Sequence, residues 1–353
     1  MSRRTLATAI AGAAVVALTI ALFVVPVPYA ILSPGPVCNT LGAPTAPCPS
    51  VLNAASLITV SPASKDHPST AKLGATTVSV RTGEPSIAEA LGAWFSDGKA
   101  VVPREVIVPP GQSQQQVSEQ GAAEMRGAQD SAVVAAEAAL GLNHVVIASV
   151  TGGSAAQGVL AVGDRITALD GTAVTSADQL QALSLRNTDP AKQFRIDIVR
   201  DGSSKQVVLQ RKPDPKTGTL IFGIGLKDVA AGVQVKVTLD PNAVGGPSAG
   251  LMLALGVYDR LTPGELAGSA IVAGTGTIDG AGVVGPIGGI QQKMYAARHD
   301  FHATVFLAPA GDCSDAKGAI PHGLQVVKVS TFSDALHALA AVKAGQPAGL
   351  PHC

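Results

Sequence analysis

The chain has 353 residues, and its 25 lysines and arginines are balanced by 25 aspartates and glutamates. A neutral chain lacks the basic stripe of a nucleic-acid-binding protein, and aromatic residues, at 3%, are too few to build base-stacking surfaces. We therefore expect no nucleic-acid partner. Because 46% of the residues are hydrophobic, the chain is expected to fold, and its length suits about two domains.

The N-terminus combines a charged tip with a long apolar run. Arg3 and Arg4 precede the uncharged stretch Leu6–Val25, which ends at Pro26. About 20 apolar residues in a helix are enough to cross a membrane, and arginines favour the cytoplasmic side. Residues 1–30 are therefore predicted to be a cytoplasmic tip and a transmembrane anchor, so that the membrane is a partner and the rest of the chain is extracytoplasmic. A cleaved signal peptide is the alternative, because it shares these features.

The cysteines agree with an exported chain. Cys38, Cys48, Cys313 and Cys353 form no C-x-x-C pair, which argues against a zinc site and against a thioredoxin-like motif. No metal site is expected. Proximity in the sequence favours one disulfide between the first two cysteines and one between the last two. Four unrelated thiols are the alternative, which is less common in exported chains.

Local patterns predict the elements of residues 31–142. The stretch 31–50 is rich in proline, glycine and cysteine and is predicted to be irregular. Short β-branched runs at 56–60 and 76–80 predict two paired strands. Helical spacing then predicts a helix over 87–95, followed over 112–140 by one long helix or by two helices with a break near Gly121 or Gly127.

Residues 143–212 contain several predicted strands and one predicted helix around a strand–turn–strand core. The pattern is carried by Gly158, Leu160, Gly163, Asp164, Ile166, Leu169, Asp170 and Gly171. It resembles a PDZ domain. The resemblance implies that this segment binds extended peptide ends by adding a strand to a sheet edge, and we expect the contacts at Gly153, Ser154, Val159 and Leu160. A domain that only packs against its neighbours is the alternative.

A glycine-rich loop before a predicted helix contains Ser248. A serine at a helix start lies beside unpaired backbone N–H groups and the positive end of the helix dipole, where an oxyanion is stabilised. The plain alternative is a helix N-cap. The motif G-x-S-x-G over residues 246–250 also allows an α/β-hydrolase elbow, but the elbow should directly follow its strand, whereas residues 240–246 intervene. That interpretation predicts an essential histidine.

A second segment strengthens the catalytic interpretation of Ser248. The sequence GGPSAG (residues 245–250), followed by TGTI (275–278) and GPIGGIQQK (285–293), resembles the proteolytic domain of Lon-type serine proteases in residues and in spacing. By this resemblance Ser248 is the nucleophile and Lys293 is the general base. The supporting residues are Thr275, Gly246, Pro247 and Ala249.

Together the two resemblances imply a membrane-anchored PDZ–Lon protease of the bacterial type. The expected fold is α+β: a transmembrane helix, an N-terminal half of the protease domain over residues 31–142, an inserted PDZ-like β domain over 143–212, and a Lon-like catalytic half over 213–353. No nucleotide-binding motif G-x-x-x-x-G-K-S/T occurs, so we expect an ATP-independent endopeptidase without cofactor that cleaves unfolded or tethered polypeptides. Lon-type domains often form rings, which implies a homo-oligomer such as a hexamer. A non-catalytic PDZ adaptor is the alternative function.

Overall fold

The computed structural model describes residues 3–45, 48–50, 56–214, 217–230 and 232–353, with side chains from residue 10 onward. In these ranges the helices are α1 (Arg3–Val24), α2 (Ile87–Trp94), α3 (Arg104–Ile107), α4 (Gln114–Ala139), α5 (Ala177–Leu185), α6 (Gly250–Leu261), α7 (Ile290–His299), α8 (Cys313–Ala316) and α9 (Phe332–Lys343). The strands are β1 (Tyr29–Asn39), β2 (Ile58–Ser61), β3 (Lys72–Arg81), β4 (Ala100–Pro103), β5 (Asn143–Val150), β6 (Arg165–Leu169), β7 (Thr172–Ala173), β8 (Gln193–Arg200), β9 (Ser203–Gln210), β10 (Lys212–Pro213), β11 (Leu220–Ile221), β12 (Ile224–Ala230), β13 (Gln234–Val237), β14 (Ile271–Gly274), β15 (Thr277–Ile278), β16 (Val284–Gly285), β17 (Val305–Pro309) and β18 (Gln325–Val329).

A mixed sheet with the strand order β18-β17-β14-β3-β1-β4 forms the centre of the larger domain. Its parallel strands are buried on both faces, so consecutive side chains pack against different helices. Val272 and Leu307 belong to the core cluster that contains α6. Their neighbours Ala273 and Phe306 belong to the cluster that contains α7. The sheet therefore holds α6 and α7 on opposite faces.

The N-terminal strands differ from the sequence prediction. Residues 31–50 were expected to be irregular, but most of β1 lies there, and it pairs antiparallel with β3 and β4. The ladder shifts register between Pro34 and Val37, and such a bulge is where a strand tolerates proline. The predicted pairing of 56–60 with 76–80 is also wrong, because β2 pairs with the distant β13.

The helices follow their local signals closely. Ser86 caps α2 and Ser113 caps α4, each with a capping box. The long α4 is one unbroken helix, although Gly121 and Gly127 lie inside it. Alanines at helical spacing bury one face of α4, including Ala128, Ala132, Ala135 and Ala136, and α4 packs against α6. This tertiary packing outweighs the low helix propensity of the glycines.

The prediction of a transmembrane anchor is wrong, and so is the prediction of a single-pass membrane location. The N-terminal segment does form a helix, α1. A membrane span requires one helix with about 20 predominantly apolar residues. Among the residues that the structure describes, no helix meets the requirements of length and apolar character for crossing a membrane.

The inserted domain contains a sheet with the strand order β12-β5-β6-β8-β9, with β7 beside β6. Its own core is built from large side chains such as Ile147, Leu180, Phe194 and Ile196. The strand β12 lies C-terminal to residue 212 and pairs antiparallel with β5, which leads into the domain. The chain therefore enters and leaves this domain through two neighbouring strands.

Two disulfides are present. Cys38 is bonded to Cys48 and Cys313 to Cys353, at sequence separations of 10 and 40. This is the pairing that proximity in the sequence favours, and it confirms the prediction of disulfides. Disulfides are typical of proteins in oxidising compartments. The second disulfide attaches the C-terminus to the segment that begins α8.

Candidate functional site

A tight loop presents Ser248 at the start of α6. Pro247, Ser248 and Ala249 form a single 3-10 turn that continues into the helix. Gly246 precedes this turn with φ of 82°, a left-handed conformation that glycine adopts without strain. Its N–H donates a hydrogen bond to the carbonyl oxygen of Gly121 at 2.8 Å. The loop is thus held against α4 by backbone contact.

The side chain of Lys293 is brought to the same place by α7. This helix starts after Gly289, which adopts φ of 69°. A Cβ atom on Gly289 would lie 2.7 Å from the side chain of Val78 on β3, so only glycine fits at this approach. Lys293 follows within the first turn and is 3% exposed. A lysine so deeply buried is uncommon unless its charge is paired or removed.

Thr275 connects the lysine to the serine loop. The Nζ atom of Lys293 donates to Oγ1 of Thr275 at 2.9 Å. The same hydroxyl donates to the carbonyl oxygen of Ser248 at 3.0 Å. The N–H of Gly276 donates to that carbonyl as well, at 2.9 Å. A buried hydroxyl that accepts from one group and donates to the other fixes the amine relative to the serine backbone.

The environment of Lys293 favours the neutral amine. Burial lowers the pKa of Lys293 from 10.5 to about 7, and the negative charge of Asp312 opposes this fall. The dominant effect is the loss of hydration around the ammonium form. A lysine with a pKa near neutrality can accept a proton from a hydroxyl at physiological pH, whereas an ordinary lysine cannot.

Ser248 and Lys293 line one cleft of about 860 Å³, and Pro247 and Ala249 line it with them. Thr275 and Gly246 lie directly behind this surface, through the contacts given above. Sequence reasoning missed the other walls, which are formed by the β3 residues 77–80 and by Pro286, Ile287 and Gly288. For the second of these walls, the sequence signal was the proline- and glycine-rich stretch before α7.

Neither a hydrolase triad nor a metal centre is evident in the described ranges. No histidine is among the residues that line the cleft there, although the hydrolase interpretation requires one. The strand β13 ends at Val237, well before Ser248, so the serine does not lie on a sharp strand-to-helix elbow. Within the same described ranges, no cluster of three or more metal-ligating side chains occurs.

The residues predicted for peptide binding do not share one groove. Leu160 is 4% exposed and belongs to the core of the inserted domain, and Val159 packs against that core. Gly153 lies in a turn, where its N–H donates to the side chain of Gln157. Ser154 contacts the backbone of Gly223 through its hydroxyl, which donates to the carbonyl oxygen at 3.4 Å. None of the four lines the groove described next, although Ser154 contacts Gly223 in its wall.

A groove of about 530 Å³ lies between α5 and the strand β12. Residues 222–226 form one wall, and Leu180, Gln181 and Leu185 of α5 contribute to the other. In the described part of the sheet β12 pairs with β5 alone, so its second edge faces the groove. The sequence FGIGL in this wall alternates glycine with apolar residues, which was a signal that sequence reasoning did not use.

Arg211 supplies a charged group at the groove. It lines the groove but is only 5% exposed. One guanidinium nitrogen donates to the carbonyl oxygen of Asn187, and the cation lies 5.0 Å from the centre of the Phe194 ring. Its Nε atom has no hydrogen-bond partner in the structure as described. A buried unpaired donor of this kind is suited to an anionic ligand.

Comparisons with known proteins identify two domains. Residues 115–210 match the family model of the PDZ domain, and residues 228–341 match that of the Lon protease C-terminal proteolytic domain. The chain therefore contains a PDZ domain and a Lon-type proteolytic domain. The proteolytic domain supports the activity of a serine protease, and both domains are consistent with polypeptide substrates. No curated protein matches the chain.

Several solved structures match a part of this chain. The PDZ domain of the SdrC-like protein of Listeria monocytogenes is 28% identical over 23% of this chain and 85% of its own, with a TM-score of 0.22. The corresponding domain from Listeria innocua is 23% identical over 24% and 92%, with a TM-score of 0.22. A solution structure from Geobacillus thermodenitrificans is 30% identical over 21% and 84%, with a TM-score of 0.19.

Proposed function

We propose that this chain, with its PDZ domain and its Lon-type proteolytic domain, is an ATP-independent serine endopeptidase that uses Ser248 as nucleophile and Lys293 as general base. The observation that carries the proposal is the buried amine of Lys293, which has a pKa of about 7 and lies in the same cleft as Ser248. An ordinary structural lysine would be exposed and charged. Disordered or unfolded polypeptides are the proposed substrates, because an extended segment fits an open cleft.

In the proposed reaction the neutral amine of Lys293 removes the hydroxyl proton of Ser248 while Oγ attacks the carbonyl carbon of the scissile peptide bond. The tetrahedral intermediate collapses when the carbon–nitrogen bond breaks, and the ammonium of Lys293 returns the proton to the leaving amine. Water then hydrolyses the acyl ester, with Lys293 again as the base. The same group therefore acts as base and as acid, which a pKa near 7 allows.

The surroundings of the dyad support these steps. Ser248 lies at the N-terminal end of α6, where backbone N–H groups and the helix dipole stabilise a developing oxyanion. We assign Thr275 a positioning role, because its hydroxyl holds Nζ of Lys293 and the serine carbonyl at once. Gly246, Pro247 and Ala249 shape the turn that exposes the serine.

Independence from ATP is supported by the sequence, which lacks a glycine-rich phosphate-binding loop ending in Lys-Ser or Lys-Thr. The PDZ domain is assigned the selection of substrates. A peptide segment added to the free edge of β12 would pair with its backbone, and Arg211 would attract a terminal carboxylate. A peptide-binding adaptor without catalysis is the second candidate, since the groove alone supports it.

Cleavage of an intrinsically disordered protein such as casein, without nucleotide, tests the proposal. The full chain should cleave it at neutral to alkaline pH, and Ser248→Ala should abolish the cleavage. Ser314→Ala is the matched control, because Ser314 is an exposed serine on α8, and it should retain full activity. Circular dichroism must show that both variants are folded. Undiminished cleavage by Ser248→Ala would overturn the proposal, and a wild-type chain that binds peptides without cleaving any would favour the adaptor.

A further inference from the structure

One wall of the Ser248–Lys293 cleft is fixed by a buried carboxylate. Asp312 is 4% exposed. The N–H of Ile287 donates to both of its carboxylate oxygens, at 3.0 Å to Oδ2 and 3.3 Å to Oδ1. Ile287 lines the cleft together with Pro286 and Gly288, in the loop directly before α7. The carboxylate therefore holds the segment that leads to Lys293.

The backbone around Asp312 is itself anchored from several sides. A Cβ atom on Gly311 would lie 3.3 Å from the ring of Pro286, so the two segments are in close contact. The side chain of Gln291 donates to the carbonyl oxygen of Asp315 at 3.0 Å, which ties α7 to α8. Cys313 is bonded to Cys353, and the N–H of Cys353 donates to Val326 of the sheet at 3.3 Å. These contacts fix the backbone of Asp312 relative to α7 and to the sheet.

The charge of Asp312 also acts on the proposed base. Among the described residues, its carboxylate is the group whose charge raises the pKa of Lys293 against the effect of burial. Burial raises the pKa of Asp312 itself, and the charge of Asp315 raises it as well, while the Ile287 N–H and the charge of Lys293 lower it. The other ionisable side chains on elements around α7 are Tyr29, Lys72, Arg81, Asp97, Lys99, Tyr295, Arg298, His299 and Asp315.

We propose that Asp312 is a positioning residue of the Ser248–Lys293 site: its carboxylate fixes the Ile287 wall of the cleft, in the segment that leads to Lys293, and its negative charge acts on the amine of Lys293. This inference rests on the proposed function, because it assumes that Lys293 is the base. The neutral lysine needed for catalysis and the ammonium needed for the leaving group must both be accessible near neutral pH. The charge of Asp312 shifts the amine toward the ammonium form, whereas burial shifts it toward the neutral form, and together they provide that balance.

Asp312→Asn separates the two roles, because the amide oxygen can still accept from Ile287 while the charge is lost. We expect the acid limb of the kcat/KM profile between pH 5.5 and 9 to move to lower pH, with KM close to the wild-type value. A fall of about one pKa unit, the small end of the range for a neighbouring charge, raises the neutral fraction of Lys293 at pH 6 about fivefold. Asp312→Ala should also raise KM, because the Ile287 wall loses its acceptor.

Asp300→Asn is the matched control, since it removes an exposed carboxylate at the C-terminal end of α7, and its profile should coincide with that of the wild type. The second readout is NMR titration of ¹³C-labelled lysine Cε, with Lys293 assigned from its absence in Lys293→Met. Profiles and titrations of Asp312→Asn that match the wild type would overturn the inference and leave the protease intact. An active Lys293→Met would instead overturn the proposed function.

Discussion

Replacing Lys293 by methionine should stabilise the fold in acid far more than in base. Methionine has a similar shape and no charge, so it removes the unfavourable burial of the ammonium. In the wild type, the pKa of Lys293 falls from 10.5 to about 7 on folding. This fall in pKa corresponds to an unfavourable free energy of about 5 kcal/mol for the buried ammonium form. The side chain is 3% exposed, so solvent screens this effect little.

The sign follows from proton binding. Between pH 7 and 10.5 the unfolded chain holds the lysine proton and the folded chain does not, so wild-type stability rises with pH in this window. Below pH 7 both states are protonated and the folded state carries the full cost of the buried charge. From pH 6 to pH 9 the stability advantage of Lys293→Met over the wild type should therefore shrink by about 3 kcal/mol.

Urea denaturation followed by circular dichroism at both pH values measures this difference. All other titrating groups are common to the two proteins, so their contributions cancel in the comparison. Lys317→Met is the matched control, because Lys317 is exposed, and its effect on stability should be the same at pH 6 and pH 9. A stability difference between Lys293→Met and the wild type that does not change with pH would refute the argument that the amine is neutral when folded.

Three further predictions concern stability. Burial raises the pKa of Glu137 to about 7, so the stability of the wild type relative to Glu137→Gln should fall by about 3 kcal/mol as pH rises from 4.5 to 8. Urea denaturation of both proteins measures this difference, and a difference that does not change with pH would contradict it. Gly289→Ala should lower the unfolding free energy by at least about 1–2 kcal/mol, because the backbone at Gly289 is left-handed. Gly288→Ala should lower it less, because a Cβ atom at Gly288 would enter open space. The reverse order in urea denaturation would be inconsistent with the structure. Replacing Cys313 and Cys353 together by serine should lower the unfolding free energy by up to about 4 kcal/mol, as for a 40-residue loop, and an unchanged melting curve would argue against the disulfide.

Elements with strong local signals were predictable from the sequence. Ser86 and Ser176 cap the helices that start after them, and residues near Gly289 open α7. Strand partners were not predictable in the same way. The partner of β2 lies beyond the inserted domain, and no local pattern encodes a pairing over that distance. The strand β1 was missed because proline content suggested irregular structure, whereas a bulge accommodates it.

In the candidate site, too, residues in a sequence motif were predictable, whereas residues brought together only by the fold were not. Ser248 and Lys293 were selected because motif spacing is a sequence property. Asp312 was missed, since an aspartate beside a cysteine has no distinctive pattern, and only the fold brings it to Ile287. Peptide contacts were predicted at Gly153, Ser154, Val159 and Leu160 from the resemblance to PDZ domains, and this stays a prediction. The groove between α5 and β12 arises from a strand that the chain adds after the rest of that domain.

The proposed function depends on the activation of the Ser248 hydroxyl by Lys293. The most direct measurement is mass-spectrometric mapping of the full chain after incubation at pH 8 with a peptidyl β-lactone, which acylates an activated serine when its ring opens. We expect one adduct, on Ser248, in the wild type and in Lys317→Met, and at least about a hundredfold slower acylation in Lys293→Met because a general base is lost. Acylation of another residue, or acylation of Ser248 at an unchanged rate in Lys293→Met, would contradict it.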